Sequence, residues 1–142
     1  MTITSRVAAE PKAGGALKVD HVTLLVGSLE TSMPYYAALL PLLGFTRKRD
    51  HVWTDGRGFF FQFLQAHDGM PAYQRYGIGM NHLGFAAPDV ATVHLVRDRM
   101  AAAGFPIPEV QQLGSATALF MKDPDGIRFE ITNYPPGADA VD

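Results

Sequence analysis

A chain of 142 residues is one domain by length, large enough to bury a core of its own. Its 47% hydrophobic and 18% charged residues describe a globular protein, and a formal net charge of −2 leaves no electrostatic footprint for nucleic acid. The absence of cysteine excludes disulfides, thiolate nucleophiles and zinc–thiolate sites, and no apolar run approaches the ~18 residues that cross a bilayer.

Residues 1–16 mix Ala, Gly, Lys and Pro without periodicity or a continuous apolar segment, which predicts a flexible N-terminal arm rather than a secretory signal. A cytoplasmic protein is therefore expected, with a small-molecule partner and neither nucleic acid nor membrane. Leu17 to Val26 reads as a strand, with Val22, Leu24 and Val26 on one face and His21, Thr23 and Leu25 on the other. A helix follows from Ser28 as N-cap to Leu43, ended by Gly44; Pro34 inside it implies either a later start at Ser32 or a kink. Phe45 to Thr54 reads as one strand, Asp55-Gly56 as a turn, and Gly58 to Gln65 as another strand. The Arg47-Lys48-Arg49 run suits the blunting of an exposed edge strand better than an anionic substrate site. His67 to Gly79 lacks alternation and reads as a linker or lid.

At Met80 the pattern begins again. Asn81 to Ala86 is a strand that sets Leu83 and Phe85 opposite His82, Gly84 and Ala86. Pro88-Asp89 opens a helix through Ala103, and Gly104-Phe105 ends it as Gly44-Phe45 ended the first. His94 on this helix reads as a surface histidine. Pro106 to Gly114 reads as connection. Ala118 to Lys122 and Ile127 to Tyr134 then form a hairpin around Asp123-Pro124-Asp125-Gly126, in which Pro124 presets φ and Gly126 takes the positive φ that closes the turn. Along its second arm Ile127, Phe129 and Ile131 share one face, and Arg128, Glu130 and Thr132 the other. Residues 135–142 read as a tail.

One unit is thus written twice, over about 17–66 and 80–134: His21 recurs as His82, Gly44-Phe45 as Gly104-Phe105, and Gln62 as Glu130. The expected fold is α+β: two paired βαβββ units forming a curved mixed sheet around a cup, within a single domain over 17–134.

A duplicated βαβββ unit with a histidine in the first strand of each half, closed by Asp-Pro-Asp-Gly and a glutamate four residues after its glycine, resembles the vicinal oxygen chelate superfamily. That superfamily includes glyoxalase I, extradiol dioxygenases, fosfomycin-resistance thiol transferases and bleomycin-binding proteins. The resemblance implies metal ligands at His21, Gln62, His82 and Glu130, with Glu130 also the catalytic carboxylate. Two imidazoles and a carboxylate suit a divalent ion such as Fe, Mn, Ni or Zn, and leave positions open for substrate. Gln62 would be a weak fourth ligand or a hydrogen-bonding partner to bound water. Phe60, Thr23, Trp53 and His51 are the expected substrate-pocket residues.

Three activities follow from the resemblance. A glyoxalase-like lyase or isomerase, acting on a substrate chelated through vicinal oxygens, is the first. An extradiol Fe(II) dioxygenase, using His21, His82 and Glu130 as its iron triad with His51 as acid, is the second; Phe120, where those enzymes carry tyrosine, counts against it. The third is a receptor of the bleomycin-resistance kind, lined by Phe60, Trp53, Tyr73 and Tyr76. Neither half can wall its own cup, and the resemblance implies pairing of the units either within a chain or across a swapped dimer. The 67–79 linker is long enough for both, and the open sheet edges and apolar surface to be covered predict a homodimer.

Overall fold

The computed structural model describes residues 15–141. Most of the expected N-terminal arm lies outside the described residues. The chain runs β1 (His21–Val26), α1 (Leu29–Leu42), β2 (Thr46–Arg49), β3 (Val52–Thr54), β4 (Phe60–Gln65), β5 (His82–Ala86), α2 (Val90–Ala102), β6 (Gln111–Leu113), β7 (Ala116–Lys122) and β8 (Arg128–Asn133). It is α+β, two βαβββ units, each a four-stranded mixed sheet with one helix. The strand orders are β1-β4-β3-β2 and β5-β8-β7-β6. In both sheets the first strand lies at an edge and pairs in parallel with the last.

The two helices form by the same local chemistry. Ser28 accepts the Thr31 amide at 3.3 Å, and Asp89 accepts the Thr92 amide at 2.7 Å, each satisfying an orphan donor of the first turn. Each ends at a glycine with positive φ, Gly44 at 90° and Gly104 at 95°, where a Cβ would be strained. Helix α1 starts directly after Ser28 and accommodates Pro34 and Pro41 within its length, so the later start at Ser32 does not occur.

Two expected elements differ. Phe45–Thr54 is not one strand: the chain turns at Asp50-His51, where His51 takes the left-handed φ of 62°, and strands β2 and β3 pair antiparallel on either side with a register shift between Arg47 and Arg49. The expected connection 106–114 contains β6, a short exposed edge strand paired to β7. The first strand is also shorter at its start than expected, since residues 17–20 are exposed coil.

The apolar faces of both sheets converge on one core. Leu24, Val26, Phe61 and Phe63 of the first sheet and Leu119, Met121, Phe129 and Ile131 of the second belong to it, with Tyr36, Leu39, Leu40, Val96 and Met100 of the helices. Tyr36 bridges the units: its ring centre is 4.3 Å from that of Phe63 and 5.7 Å from that of Phe129. Phe85 likewise meets Phe61 at 6.1 Å and Phe45 at 6.2 Å. Full burial of a ring such as Tyr36, Phe61, Phe63 or Phe129 contributes roughly 1.5–3 kcal/mol.

The Asp-Pro-Asp-Gly turn ties the second unit to the first. Asp123, 5% exposed, accepts the amides of Asp125 and Ile127 at 2.8 Å each and the hydroxyl of Tyr36 at 2.6 Å. Asp125 accepts the Gly27 amide at 2.9 Å, just beyond β1. A Cβ on Gly27 would lie 2.5 Å from that carboxylate, so a larger residue here would displace the Asp125 side chain that accepts the Gly27 amide.

Candidate functional site

Since both apolar faces turn into the shared core, the opposite faces turn out of it. His21, Thr23 and Leu25 alternate outward on β1, and Phe60, Gln62 and Leu64 on β4. Their register sets His21 beside Phe60 and Thr23 beside Gln62. The Asp20 carboxylate accepts a hydrogen bond from His21 Nδ1, which leaves Nε2 facing outward. Thr23 donates to the Gln62 amide oxygen at 3.1 Å. Asp20, His21, Phe60 and Gln62 line an open cleft of about 440 Å³, with Lys48 and Arg49 from the bulged edge strand at its rim. Arg47 is paired with Asp50 instead.

The second sheet repeats this arrangement with stronger ligands. Register sets His82 beside Arg128 and Gly84 beside Glu130. His82 Nε2 and Glu130 Oε2 are 3.3 Å apart, with the glutamate side chain 16% exposed. Asn81 Oδ1 lies 2.7 Å from His82 Nδ1. Oxygen atoms therefore face both ring nitrogens, Asn81 Oδ1 at Nδ1 and the Glu130 carboxylate at Nε2. Thr132 donates to Glu130 Oε1 at 2.7 Å and Tyr134 does so at 3.4 Å, so one carboxylate oxygen is held while the other faces His82. Partial burial, and then the negative charge of Glu130, raise the pKa of the Tyr134 hydroxyl.

The structure brings His21 together with Gln62, Phe60 and Thr23, and His82 together with Glu130, but the two sets lie on different sheets. Among the described residues of one chain, no three His, Cys, Asp or Glu side chains are close enough to hold a metal ion. Within one chain the cleft at Gln62 is open, and Leu64 on the same face stays 44% exposed. Trp53 is not in this cleft. The turn at His51 sets Trp53 opposite Phe61, on the core side and 8% exposed. His51 and Trp53 instead line a separate hollow of about 190 Å³ with Met33, Ala37 and Arg47. Tyr73 is tied to the backbone before β5, its hydroxyl 2.5 Å from the Met80 carbonyl, and Tyr76 is 84% exposed.

Sequence reading missed the supports. Thr132 and Tyr134 follow Glu130 at the strand period of two, and Asp20 and Asn81 are the residues immediately before the two histidines. Those spacings were the available signals.

Over residues 18–131 the sequence matches the model of the Glyoxalase/Bleomycin resistance protein/Dioxygenase superfamily. It is 28% identical over 125 residues to the uncharacterized protein YqjT of Bacillus subtilis (strain 168), covering 80% of this chain and 96% of that one. Among solved structures it is similar to a candidate glyoxalase from Bacillus halodurans, at 26% identity and a TM-score of 0.70, covering 82% of this chain and 95% of that one. A glyoxylase/bleomycin resistance protein/dioxygenase domain from Frankia sp. EAN1pec shares the fold at 23% identity and a TM-score of 0.66, covering 85% of this chain and all of that one, 100%.

Proposed function

This chain belongs to the Glyoxalase/Bleomycin resistance protein/Dioxygenase superfamily, and we propose that it is a metal-dependent lyase or isomerase whose site is shared between two copies. The observation that carries this is the His82–Glu130 pair: 3.3 Å apart, supported from behind by Asn81 and Thr132, with an imidazole nitrogen and a carboxylate oxygen facing each other as two donors to one ion would. His21 and Gln62 of a second copy would complete a set of two imidazoles, one carboxylate and one amide oxygen. Both histidine strands are sheet edges with open backbone hydrogen-bonding rows, and Leu25 (56% exposed) and Leu64 flank the first half-site, so a homodimer that joins β1 of one copy to β5 of the other covers these liabilities.

These donors fit a divalent ion such as Fe, Mn, Ni or Zn, which when bound supplies Lewis-acid polarisation of a chelated carbonyl or hydroxyl oxygen. The chain's own residues do the rest. Asp20 and Asn81 fix the rings so that each presents Nε2 outward. Thr132 and Tyr134 hold one oxygen of Glu130, leaving the other to bind or to accept a proton from a substrate carbon. Phe60 offers an apolar wall beside His21. Phe120, directly across from Glu130 in the β7–β8 register, presents no hydroxyl and so favours proton transfer over oxygen chemistry.

Protein loaded anaerobically with Fe(II), and separately with Ni(II), Mn(II) or Zn(II), should be offered 2-oxoaldehyde–thiol adducts and catechols. Turnover of an adduct with a redox-inert ion and no oxygen uptake is the expected result. Stoichiometric oxygen consumption with Fe(II) and a catechol would replace this reading with ring cleavage. Tight ligand binding that survives metal removal, without turnover, would replace it with a receptor.

A further inference from the structure

Beside Glu130, the outward face of the second sheet carries a second feature that the proposed metal site does not use. Register places Lys122, Arg128 and His82 in one row across β7, β8 and β5, and Phe120, Glu130 and Gly84 in the next. Arg128 and Lys122, with Phe120 and Gln111, line a cleft of about 910 Å³ between the hairpin and the loop at Pro106–Pro108. Among the described residues neither Arg128 nor Lys122 forms an ion pair, although arginines 47 and 97 do. The Arg128 Nε is buried without a hydrogen-bond partner. Arg75 and Arg97 share an unpaired Nε, so what sets Arg128 apart is its place beside Lys122 in this cleft with no carboxylate paired to it. Asp123 also lines this cleft but makes no ion pair with Arg128; its oxygens accept from two amides and the Tyr36 hydroxyl.

We propose that Arg128 and Lys122 form an oxyanion subsite, and that the substrate carries a carboxylate or phosphate in addition to the oxygens chelated at His82 and Glu130. Neighbouring strands lie about 5 Å apart, so the row from Arg128 to His82 separates the anionic group from the reacting oxygens by a few bonds. The guanidinium fork matches a planar carboxylate or two phosphate oxygens, while Lys122 supplies a mobile second charge at the mouth. The first half of the repeat places its basic residues, Lys48 and Arg49, at the rim of its cleft instead of in the histidine row. There Phe60 occupies the position of Arg128, beside His21. The substrate class that follows is a small oxyacid, with its anionic group one strand away from the chelated oxygens. Its arrangement across the site rests on the proposed two-copy metal site, but the subsite itself belongs to one sheet of one chain.

The test uses metal-stripped protein, so that failure of the metal reading and failure of the subsite stay separate. Inorganic phosphate and malonate are titrated calorimetrically into the wild type and into the Arg128→Gln, Lys122→Ala and Arg99→Gln variants. Arg99 is exposed on α2 and serves as the control for net charge. Expected is saturable binding of one anion per chain, weakened roughly tenfold or more by Arg128→Gln, less by Lys122→Ala, and unchanged by Arg99→Gln. Tighter phosphate or tighter malonate identifies which oxyanion the substrate bears. No saturable binding to folded wild type, or equal losses in Arg128→Gln and Arg99→Gln, would overturn the proposal. Circular dichroism of each variant verifies folding, and Arg128→Lys, which keeps the charge without the fork, should recover part of the affinity.

Discussion

The two half-sites fold alike and are prepared to different degrees. On the second sheet, His82 and Glu130 already meet at 3.3 Å, the carboxylate is mostly covered, and Asn81, Thr132 and Tyr134 fix both partners. On the first, the His21 side chain is 65% exposed, and Gln62 has its amide oxygen engaged by Thr23. The difference lies in what stands behind the ligands rather than in their placement, since register positions them identically. A finished half and an unfinished half on separate faces suit a site that closes when two chains meet.

The largest expected effect breaks the finished half. Glu130→Ala or His82→Ala should weaken divalent-metal binding by at least about a hundredfold, beyond the roughly 10–100-fold typical of losing an outer-shell partner. Gln62→Ala should weaken it by about tenfold or less, and Gln62→Glu should strengthen it by adding a carboxylate. Competition with a chelating dye measures all four. Equal losses from Gln62→Ala and Glu130→Ala would remove the distinction between the halves.

The next effect concerns two turns that make the same bonds in different surroundings. Asp55 accepts the amides two and four residues on, Arg57 at 2.7 Å and Phe59 at 3.1 Å, as Asp123 accepts those of Asp125 and Ile127. Asp55 is in water, and the Arg57 amide foremost lowers its pKa. Asp123 is buried, and desolvation raises its pKa against the pull of its three donors. Asp123→Ala should cost about 2 kcal/mol of unfolding free energy by orphaning those donors. The pH responses should be opposite in sign. Asp55 stabilises the fold above the ordinary carboxylate pKa, and that contribution is lost as pH falls through its lowered value. The raised pKa of Asp123 favours the fold when the group is protonated. That contribution is complete below the ordinary carboxylate pKa and is lost as pH rises through the raised value. Urea titrations across acidic pH should therefore show Asp55→Asn flattening the acid loss and Asp123→Asn steepening it. The same change of slope in both variants would contradict the contrast.

A smaller effect sharpens the account of the Glu130 supports. Glu130→Gln removes the charge that helps raise the Tyr134 pKa, so the phenolate should appear at lower pH in that variant. Difference absorbance against Tyr134→Phe isolates this one tyrosine. An unchanged titration would mean that burial alone sets it.

Much of this was legible in the chain because strands alternate with a period of two. That period alone put His21, His82 and Glu130 on the faces away from the core, and the repeat paired them. The turn at Asp50-His51 was not legible, because it uses a histidine rather than glycine at positive φ inside a run of charged and β-forming residues. That one turn sets Trp53 against the core and leaves it with His51 in a hollow separate from the cleft at His21. β6 escaped because two glutamines and a single exposed leucine at an edge leave no apolar pattern. The outward separation of the half-sites depends on contacts such as Tyr36 with Phe129 and with Asp123, which join distant parts of the chain and leave no local signature.

The central claim, one site from two chains, is tested most directly by mixing two dead variants. His21→Ala and Glu130→Ala proteins, each unable to hold metal alone, are unfolded together, refolded and separated so that only the mixed pair is kept. If the site takes His21 and Gln62 from one copy and His82 and Glu130 from the other, a mixed pair contains one intact site. The account predicts one tightly held divalent ion per mixed pair, by elemental analysis, and none in either parent. Mixed pairs that remain empty, while wild type treated in the same way recovers its metal, would contradict it.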